Sequence, residues 1–230
     1  MISEAIDYPR SNEDSVRTLL IGGLLALTSV LIVPAIVLVG YLMRVIRSVA
    51  RGEERAPAFE DWEGLFREGV RGSVVALAYA LVSAIGAVVF VGGALALAGD
   101  ATAVGAVLLV IGGLLWFALS LVAAYVTPAA LANVAERGRI GAGFDVATLS
   151  PVLTSGSYAT AWIVGVGFIL AGGVVSGVFA GIPAVGAIVG AFVGFYAGVA
   201  AYYAIGRAWG DREEVDVAET ETDAVSRPAA

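Results

Sequence analysis

Four long uncharged stretches decide what this chain can fold into. They cover residues 18–43, 72–99, 101–135 and 146–206. As a helix, the first stretch is about 39 Å long, which exceeds the roughly 30 Å hydrocarbon core of a bilayer. The last stretch has room for two such helices. The sequence therefore predicts an all-α fold, a polytopic bundle of transmembrane helices.

Turn signals divide these stretches into about five spans. Asp100 lies in a tight turn, and Gly181-Ile-Pro183 is the natural break in the last stretch. Pro34 falls inside the first stretch, where it predicts a kink. The predicted spans are residues 18–43, 73–98, 103–127, 158–181 and 184–206.

The spans belong to one predicted transmembrane domain, residues 18–206. A polar lead-in, residues 1–17, precedes it, and a charged connector, residues 44–72, separates the first two spans. The tail, residues 207–230, is rich in acidic residues and poor in apolar ones. That composition predicts disorder.

Composition removes several classes of function. Cys and His are absent, which excludes thiolate and imidazole metal sites and Cys–His nucleophiles. We therefore expect no metal, no cofactor and no enzymatic activity. The net charge of −7 argues against nucleic acid as a partner. The expected partner is the lipid bilayer, with any protein partner or solute left open.

The basic residues are unusual because all thirteen are arginine. A chain that is free of lysine, rich in acidic residues and heavy in Ala, Val and Gly suggests a salt-loving archaeon.

The arginines also predict orientation. Five spans place the two connectors and the tail on one side, where they hold eleven arginines, and leave two in the N-terminal segment. The positive-inside rule makes the arginine-rich side cytoplasmic and the N-terminus external. In the alternative topology, Pro34 folds the first stretch back as a re-entrant hairpin, and the N-terminus is also cytoplasmic.

The first connector carries two helical patterns. Its arginines recur at steps of three or four on one helix face: Arg44, Arg47, Arg51 and Arg55. After Pro57, apolar residues at helical spacing predict an amphipathic helix in the headgroup region, anchored by Phe59, Trp62 and Phe66. The connector serves either as a docking surface or only as an orientation signal and anchor.

The same region resembles a known family. The motifs that carry the resemblance are Ile21-Gly-Gly, Pro34-Ala, Gly40-Tyr-Leu-Met-Arg44, Arg51-Gly-Glu53, Pro57-Ala-Phe-Glu-Asp61-Trp62 and Leu65-Phe66-Arg-Glu-Gly69. They are similar to a family of prokaryotic, largely archaeal membrane proteins, domain of unknown function 4013. The resemblance covers most of the chain up to about residue 206. It implies a multi-span membrane protein with no assigned activity and no catalytic residues.

Glycine rows and a possible repeat complete the pattern. Small residues at steps of four allow close helix packing, and the rows predicted to pack are Gly173, Gly177 and Gly181 with Gly186, Gly190, Gly194 and Gly198. Pro34-Ala and Arg51-Gly find echoes in Pro128-Ala and Arg137-Gly, as in a parallel duplication. Coincidence is an equally good account of these echoes.

Two functions follow as expectations. The first is a non-enzymatic membrane scaffold or accessory component, because the span interiors hold no ionisable residues. The second is a small-solute permease or channel built on the duplication. A polar cavity along the bundle axis favours transport, whereas a bundle filled by glycine contacts favours a scaffold.

Overall fold

The computed structural model describes residues 2–12, 14–98, 102–182 and 184–226, the last fifteen as backbone only. These residues form nine α-helices in this order: α1 (Ile2–Asp7), α2 (Ser15–Leu27), α3 (Ile32–Ala50), α4 (Trp62–Gly86), α5 (Gly93–Ala98), α6 (Thr102–Arg137), α7 (Val146–Leu153), α8 (Gly156–Phe179) and α9 (Val185–Ser226). A π-helical segment, Ala87–Gly92, joins α4 to α5, and 3-10 turns occupy Tyr8–Arg10 and Ile140–Phe144. The described residues contain no strand.

Among the described residues, five helical stretches are long and apolar enough to cross a membrane. They are Ile32–Ala50, Trp62–Leu97, Ala103–Arg137, Gly156–Phe179 and Val185–Asp211. The predicted all-α bundle of about five spans is therefore confirmed, and the chain is a multi-pass membrane protein.

The first predicted span, residues 18–43, is wrong in one respect. The chain breaks at residues 28–31 into α2 and α3. Pro34 lies in the first turn of α3. A backbone N–H at that position would have no acceptor within the helix, so proline costs no hydrogen bond there. The Thr28 hydroxyl donates to the Leu24 carbonyl at the end of α2. Pro34 thus starts a new helix instead of bending a continuous one.

The N-terminal segment lies at the same end of the bundle as the first connector. The Tyr8 hydroxyl donates to the Arg55 carbonyl at 3.2 Å, and the Asn12 amide donates to the Ala56 carbonyl at 3.1 Å. The α2–α3 hairpin therefore begins and ends at the connector end of the bundle. Its turn, which contains Val30, lies at the opposite end. The prediction that the N-terminus and the connectors lie at opposite ends of the bundle is therefore wrong. As in the alternative, the first stretch forms a hairpin, but its turn is at residues 28–31, before Pro34.

The centre of the bundle is formed by α3 and α9. Helix α9 packs against α8, α3 and α2, while α4 packs against α3 and α6. The fully buried side chains cluster near the connector end, for example Met43, Val75, Val134 and Trp209. Beyond this core the α4–α6 and α8–α9 pairs expose most of their apolar side chains, as helices that face lipid do.

The separate surface helix predicted in the connector is absent. Residues 51–61, all described, contain no helix, and α4 begins at Trp62 and continues without interruption into the second span. Helix α4 begins at this point because the Asp61 side chain caps it, accepting from the Gly64 N–H at 3.1 Å.

Two other boundaries differ from the prediction. Helix α6 runs through Pro128 to Arg137 instead of ending near residue 127. Residues 207–226, predicted as part of a disordered tail, continue α9 instead, and Trp209 is buried. The break predicted at Gly181-Ile-Pro183 is observed, because α8 ends at Phe179 and α9 begins at Val185. Pro183 itself and the turn predicted at Asp100 lie outside the described residues, as do the side chains of residues 212–226.

Helices α8 and α9 do pack, but the predicted glycine row contributes little. An added Cβ would meet nothing within 4 Å at Gly173, Gly177, Gly181 or Gly194. Gly190 and Gly198 have only ordinary contacts, and Gly186 alone of the row lies tightly against backbone, that of Phe179. The predicted glycines, spaced four residues apart, therefore lie mostly on helix faces that point away from the partner helix.

The close approaches occur elsewhere, chiefly between α3 and α4. A Cβ added at Gly40 would overlap the Leu65 carbonyl oxygen, and one added at Gly69 would overlap that of Ile36. Farther along α9, Gly206 lies against the Ile46 carbonyl of α3. These glycines let backbones touch.

Candidate functional site

The N-terminal segment and both connectors form one layer, which we call the connector layer: residues 2–12, 51–61 and 138–155. They are packed into the bundle instead of lying loosely on its surface. Ala5, Tyr8, Ala56 and Phe59 belong to one buried cluster, and the second connector contributes further residues to the other large cluster, namely Ala142, Leu149 and Val152. The layer is therefore part of the folded core.

A shared carboxylate joins two arginines of α3 to α4. The Glu68 carboxylate accepts from Arg47 Nη2 at 3.1 Å and lies 3.5 Å from Arg44 Nε. The Arg44 and Glu68 side chains are only 13% and 18% exposed. Arg47 also donates to the Ala135 carbonyl at 3.3 Å, at the end of α6. This network fixes three helices relative to one another.

Arg44 also fixes the end of the first connector. Its Nη1 donates to the Glu60 carbonyl at 2.9 Å, and its Nη2 pairs with Asp61 Oδ2 at 3.1 Å. Asp61 has a left-handed backbone, φ 51°, which Asp tolerates better than most residues. The hydrogen bond from the Gly64 N–H, aided by Arg44, lowers the pKa of the Asp61 carboxyl.

The second connector has the same local design. Asp145 caps α7 by accepting from the Thr148 N–H and pairs with Arg137 at 2.8 Å. The Thr148 hydroxyl is the main cause of the lowered pKa of Asp145. In both connectors the preceding helix ends at a glycine with positive φ, Gly52 at 76° and Gly138 at 66°.

The predicted anchors separate into buried and exposed residues. Phe59 is buried, stacked on Tyr41 with a centroid distance of 4.2 Å, and the Tyr41 hydroxyl donates to the Pro57 carbonyl. Phe59 is thus a core residue and not a lipid anchor, because the connector folds back against α3. Trp62 and Phe66 are exposed on α4, and their role as anchors at the membrane surface stays a prediction.

The predicted arginine face divides in the same way. Arg44 and Arg47 face inward to carboxylates, whereas Arg51 and Arg55 are exposed beyond the end of α3. The two inward arginines therefore build the fold, and the two outward ones lie on the surface of the connector layer.

Sequence reasoning missed an exposed apolar patch on the second connector. It consists of Ile140, Phe144 and Val146, and Phe144 stacks on Tyr79 of α4. Arg139 next to the patch is exposed. The signal was present, since three large apolar residues close to Arg137 and Arg139 are typical of a segment at the membrane surface.

A polar cavity of about 390 Å³ lies in the connector layer, lined mainly by Glu4, Asp7, Tyr8, Tyr203 and Arg207. Within the described part of the chain, no three His, Cys, Asp or Glu residues are grouped so as to hold a metal ion. The layer offers charged and aromatic groups for binding.

Comparison with known proteins gives one family. No curated protein and no solved structure matches the chain. The family described as "Protein of unknown function (DUF4013)" matches residues 23–182, a range that includes α3, the first connector, α4, α6 and the second connector. The resemblance inferred from the connector motifs is confirmed: the chain belongs to the DUF4013 family of proteins of unknown function.

Proposed function

We propose that the protein is a non-enzymatic membrane scaffold or accessory component whose connector layer docks a protein partner. The observation that carries the proposal is the construction of this layer. Side-chain hydrogen bonds to Arg55, Ala56 and Ala135 tie the N-terminal segment, first connector and helix ends together. A preorganised surface binds at a lower entropic cost than a loose one.

The packing of the bundle also supports a scaffold. Helices α3 and α4 approach through Gly40 and Gly69 with their backbones in contact. The larger cavities beside the spans are lined by apolar side chains and lie between α6 and α8. A glycine-packed interior with apolar clefts suits a framework better than a route for a polar solute.

We further propose that the connector layer faces the cytoplasm. With the N-terminal segment at the connector end, Arg10, Arg51, Arg55 and Arg139 all belong to that end. The positive-inside rule favours this orientation. The acidic, lysine-free composition supports a halophilic archaeal cell membrane as its setting.

Site-specific photo-crosslinking in native membranes tests the docking role. A photoreactive residue replaces Arg51 or Arg139, both exposed in the connector layer. Matched controls replace Val30 or Val178, exposed at the opposite end. We expect one discrete protein adduct from the first pair and none from the second. Equal adducts from both ends would contradict a docking surface in the connector layer.

The alternative is a small-solute permease or channel built on a duplication. It is favoured by the matching connectors, in which Arg44–Asp61 and Arg137–Asp145 pairs sit on the caps of α4 and α7. The purified chain in liposomes decides between the two functions. Solute-selective flux that Glu68→Gln or Pro128→Ala alters would favour the permease, and an impermeable vesicle would favour the scaffold.

A further inference from the structure

Helix α6 contains a proline in its interior. Pro128 lies 26 residues after the start of a helix that runs from Thr102 to Arg137. Because proline has no N–H, the carbonyl of Ala124 lacks its usual partner four residues later, and the ring crowds that carbonyl. An unpaired carbonyl at membrane depth costs several kcal/mol. The neighbouring helix must therefore supply a donor.

Helix α8 supplies two. Trp162 Nε1 donates to the Ala124 carbonyl at 3.1 Å. The Tyr158 hydroxyl donates to the Tyr125 carbonyl at 2.7 Å and accepts from the Ala129 N–H at 3.2 Å. The hydroxyl thus bridges the two backbone groups that lie four residues apart across the proline. Tyr158 is completely buried, so water does not compete for these bonds.

The two halves of α6 have different surroundings. On the connector side of Pro128, residues Ala129 to Ala135 are buried in the core, each at most 4% exposed. On the other side, Val107, Val110 and Leu114 are more than half exposed. That half packs mainly on α4, the π-helical segment and α5. The connector-side half of α6 is therefore held by the core, whereas the outer half is held mainly by α4, the π-helical segment and α5.

An apolar cleft separates the outer half of α6 from α8. Trp162 lies between its two parts, a cavity of about 210 Å³ on the α9 side and one of about 310 Å³ on the other. Pro128 and Ala124 line the first part and Leu121 and Tyr125 the second. The bonds from α8 to α6 are therefore at the base of the cleft, where they set the angle between the two helices.

We propose that Pro128 is a hinge in α6 and that Tyr158 and Trp162 are a latch that holds it in one bent state. The outer part of α6, with the π-helical segment and α5, swings about this hinge and changes the width of the cleft. Proline, together with side chains inserted in the hydrogen-bond ladder, is an established cause of helix bending. Tyr158 and Trp162 act here as positioning residues.

Paired spin labels measure this motion directly. The chain has no cysteine, so cysteines introduced at Val110 of α6 and Val174 of α8 are the only labelling sites. Both side chains are exposed and lie away from the latch. We expect one narrow distance distribution for the otherwise unchanged chain in nanodiscs. The Tyr158→Phe/Trp162→Phe double variant should broaden it or shift its maximum by several ångströms.

Two further variants separate a hinge from general loosening. Pro128→Ala in the latch-free background restores an N–H to the ladder, and it should return the distribution to a narrow one. Tyr125→Phe removes a neighbouring hydroxyl, which donates to the Leu153 carbonyl, and should leave the distribution unchanged. A second label pair, at Leu20 and Val174, reports whether α2, α9 and α8 stay assembled and should be constant throughout.

The width of the distance distribution in the latch-free chain can support or contradict the hinge. If the latch-free chain keeps the narrow distribution of the original, Tyr158 and Trp162 do not hold the bend. If Pro128→Ala leaves the latch-free chain broad while the second label pair is constant, the flexibility lies elsewhere than Pro128. The hinge is supported if the distance distribution is narrow in the original chain, broad in the latch-free chain and narrow again when Pro128→Ala is added.

Discussion

Single residues decide which charges are structural and which are available to partners. Arg44 and Arg51 follow the same helical pattern in the sequence, yet Arg44 is enclosed by Glu68 and Asp61 while Arg51 is exposed. The spacing of the arginines predicts that they share one face of a helix, but it does not predict which residues that face contacts. The inward role depends on the acidic partners that α4 brings to α3, which are distant in sequence.

The residue Glu68 gives a first prediction. Glu68→Gln removes the charge that Arg44 and Arg47 share, so two poorly exposed guanidiniums lose their counter-ion. We expect a loss of about 2–3 kcal/mol in the free energy of unfolding, measured by denaturant titration in detergent micelles. Glu63→Gln is the control, because Glu63 is 90% exposed and only 4.0 Å from Arg67. It should cost about 0.5 kcal/mol or less, and equal losses would refute the shared role.

Glycine gives a second prediction at this scale. Gly40→Ala places a methyl group on the Leu65 carbonyl, and neither backbone is free to move. We expect a loss of about 1–3 kcal/mol or more, seen as a lower thermal midpoint. Gly194→Ala has open space around the new methyl group and should be neutral. Similar midpoints for the two variants would show that the α3–α4 crossing tolerates separation.

The two capping aspartates give a prediction in pH. Hydrogen bonds from Gly64 and Thr148 hold the pKa values of Asp61 and Asp145 below their usual range. A lowered folded-state pKa stabilises the fold above the unfolded value, about 3.9, and that stabilisation is lost as pH falls through the folded value. Thermal midpoints should therefore be level near neutrality and fall below about pH 4. The Asp61→Asn/Asp145→Asn variant should have a shallower fall, and an unchanged slope would contradict this account.

At the scale of elements, the later spans followed from the sequence and the first did not. Uncharged length is a local property, so α4, α6, α8 and α9 could be placed from their stretches alone. The break before Pro34 depends on where in a helix the proline falls, which composition does not state. Phe59 was assigned to lipid for a similar reason, because an apolar face has the same pattern whether it meets lipid or Tyr41.

The α2–α3 hairpin predicts where the N-terminus is accessible. An epitope tag before Met1 and one inserted after Gly52, in the first connector, should be protected from protease in intact cells and cleaved together in inverted vesicles. A tag inserted after Ser29, at the hairpin tip, serves as the control and should not behave as the other two do. If only one of the first two tags were protected, the result would favour residues 18–43 as one complete span.

At the scale of the whole molecule, polar and apolar structure are segregated. The connector layer concentrates the ion pairs, the capping aspartates and the polar cavity, whereas the other end of the bundle consists of lipid-facing helices and the α6–α8 cleft. This asymmetry was predictable from the distribution of arginines. The packing of the connectors into the core was not, since it depends on contacts such as Tyr41 with Phe59 and Trp209 with Glu136.

The contact between the N-terminal segment and α9 has a consequence for biosynthesis. Helix α2 packs chiefly on α9, and the Tyr196 hydroxyl donates to the Ile6 carbonyl 190 positions earlier in the chain. At about 5–20 residues per second, translation supplies α9 roughly 10–40 s after α2. Helix α2 therefore waits beside an incomplete bundle until α9 has been made. Helix α9 then closes the fold around α2.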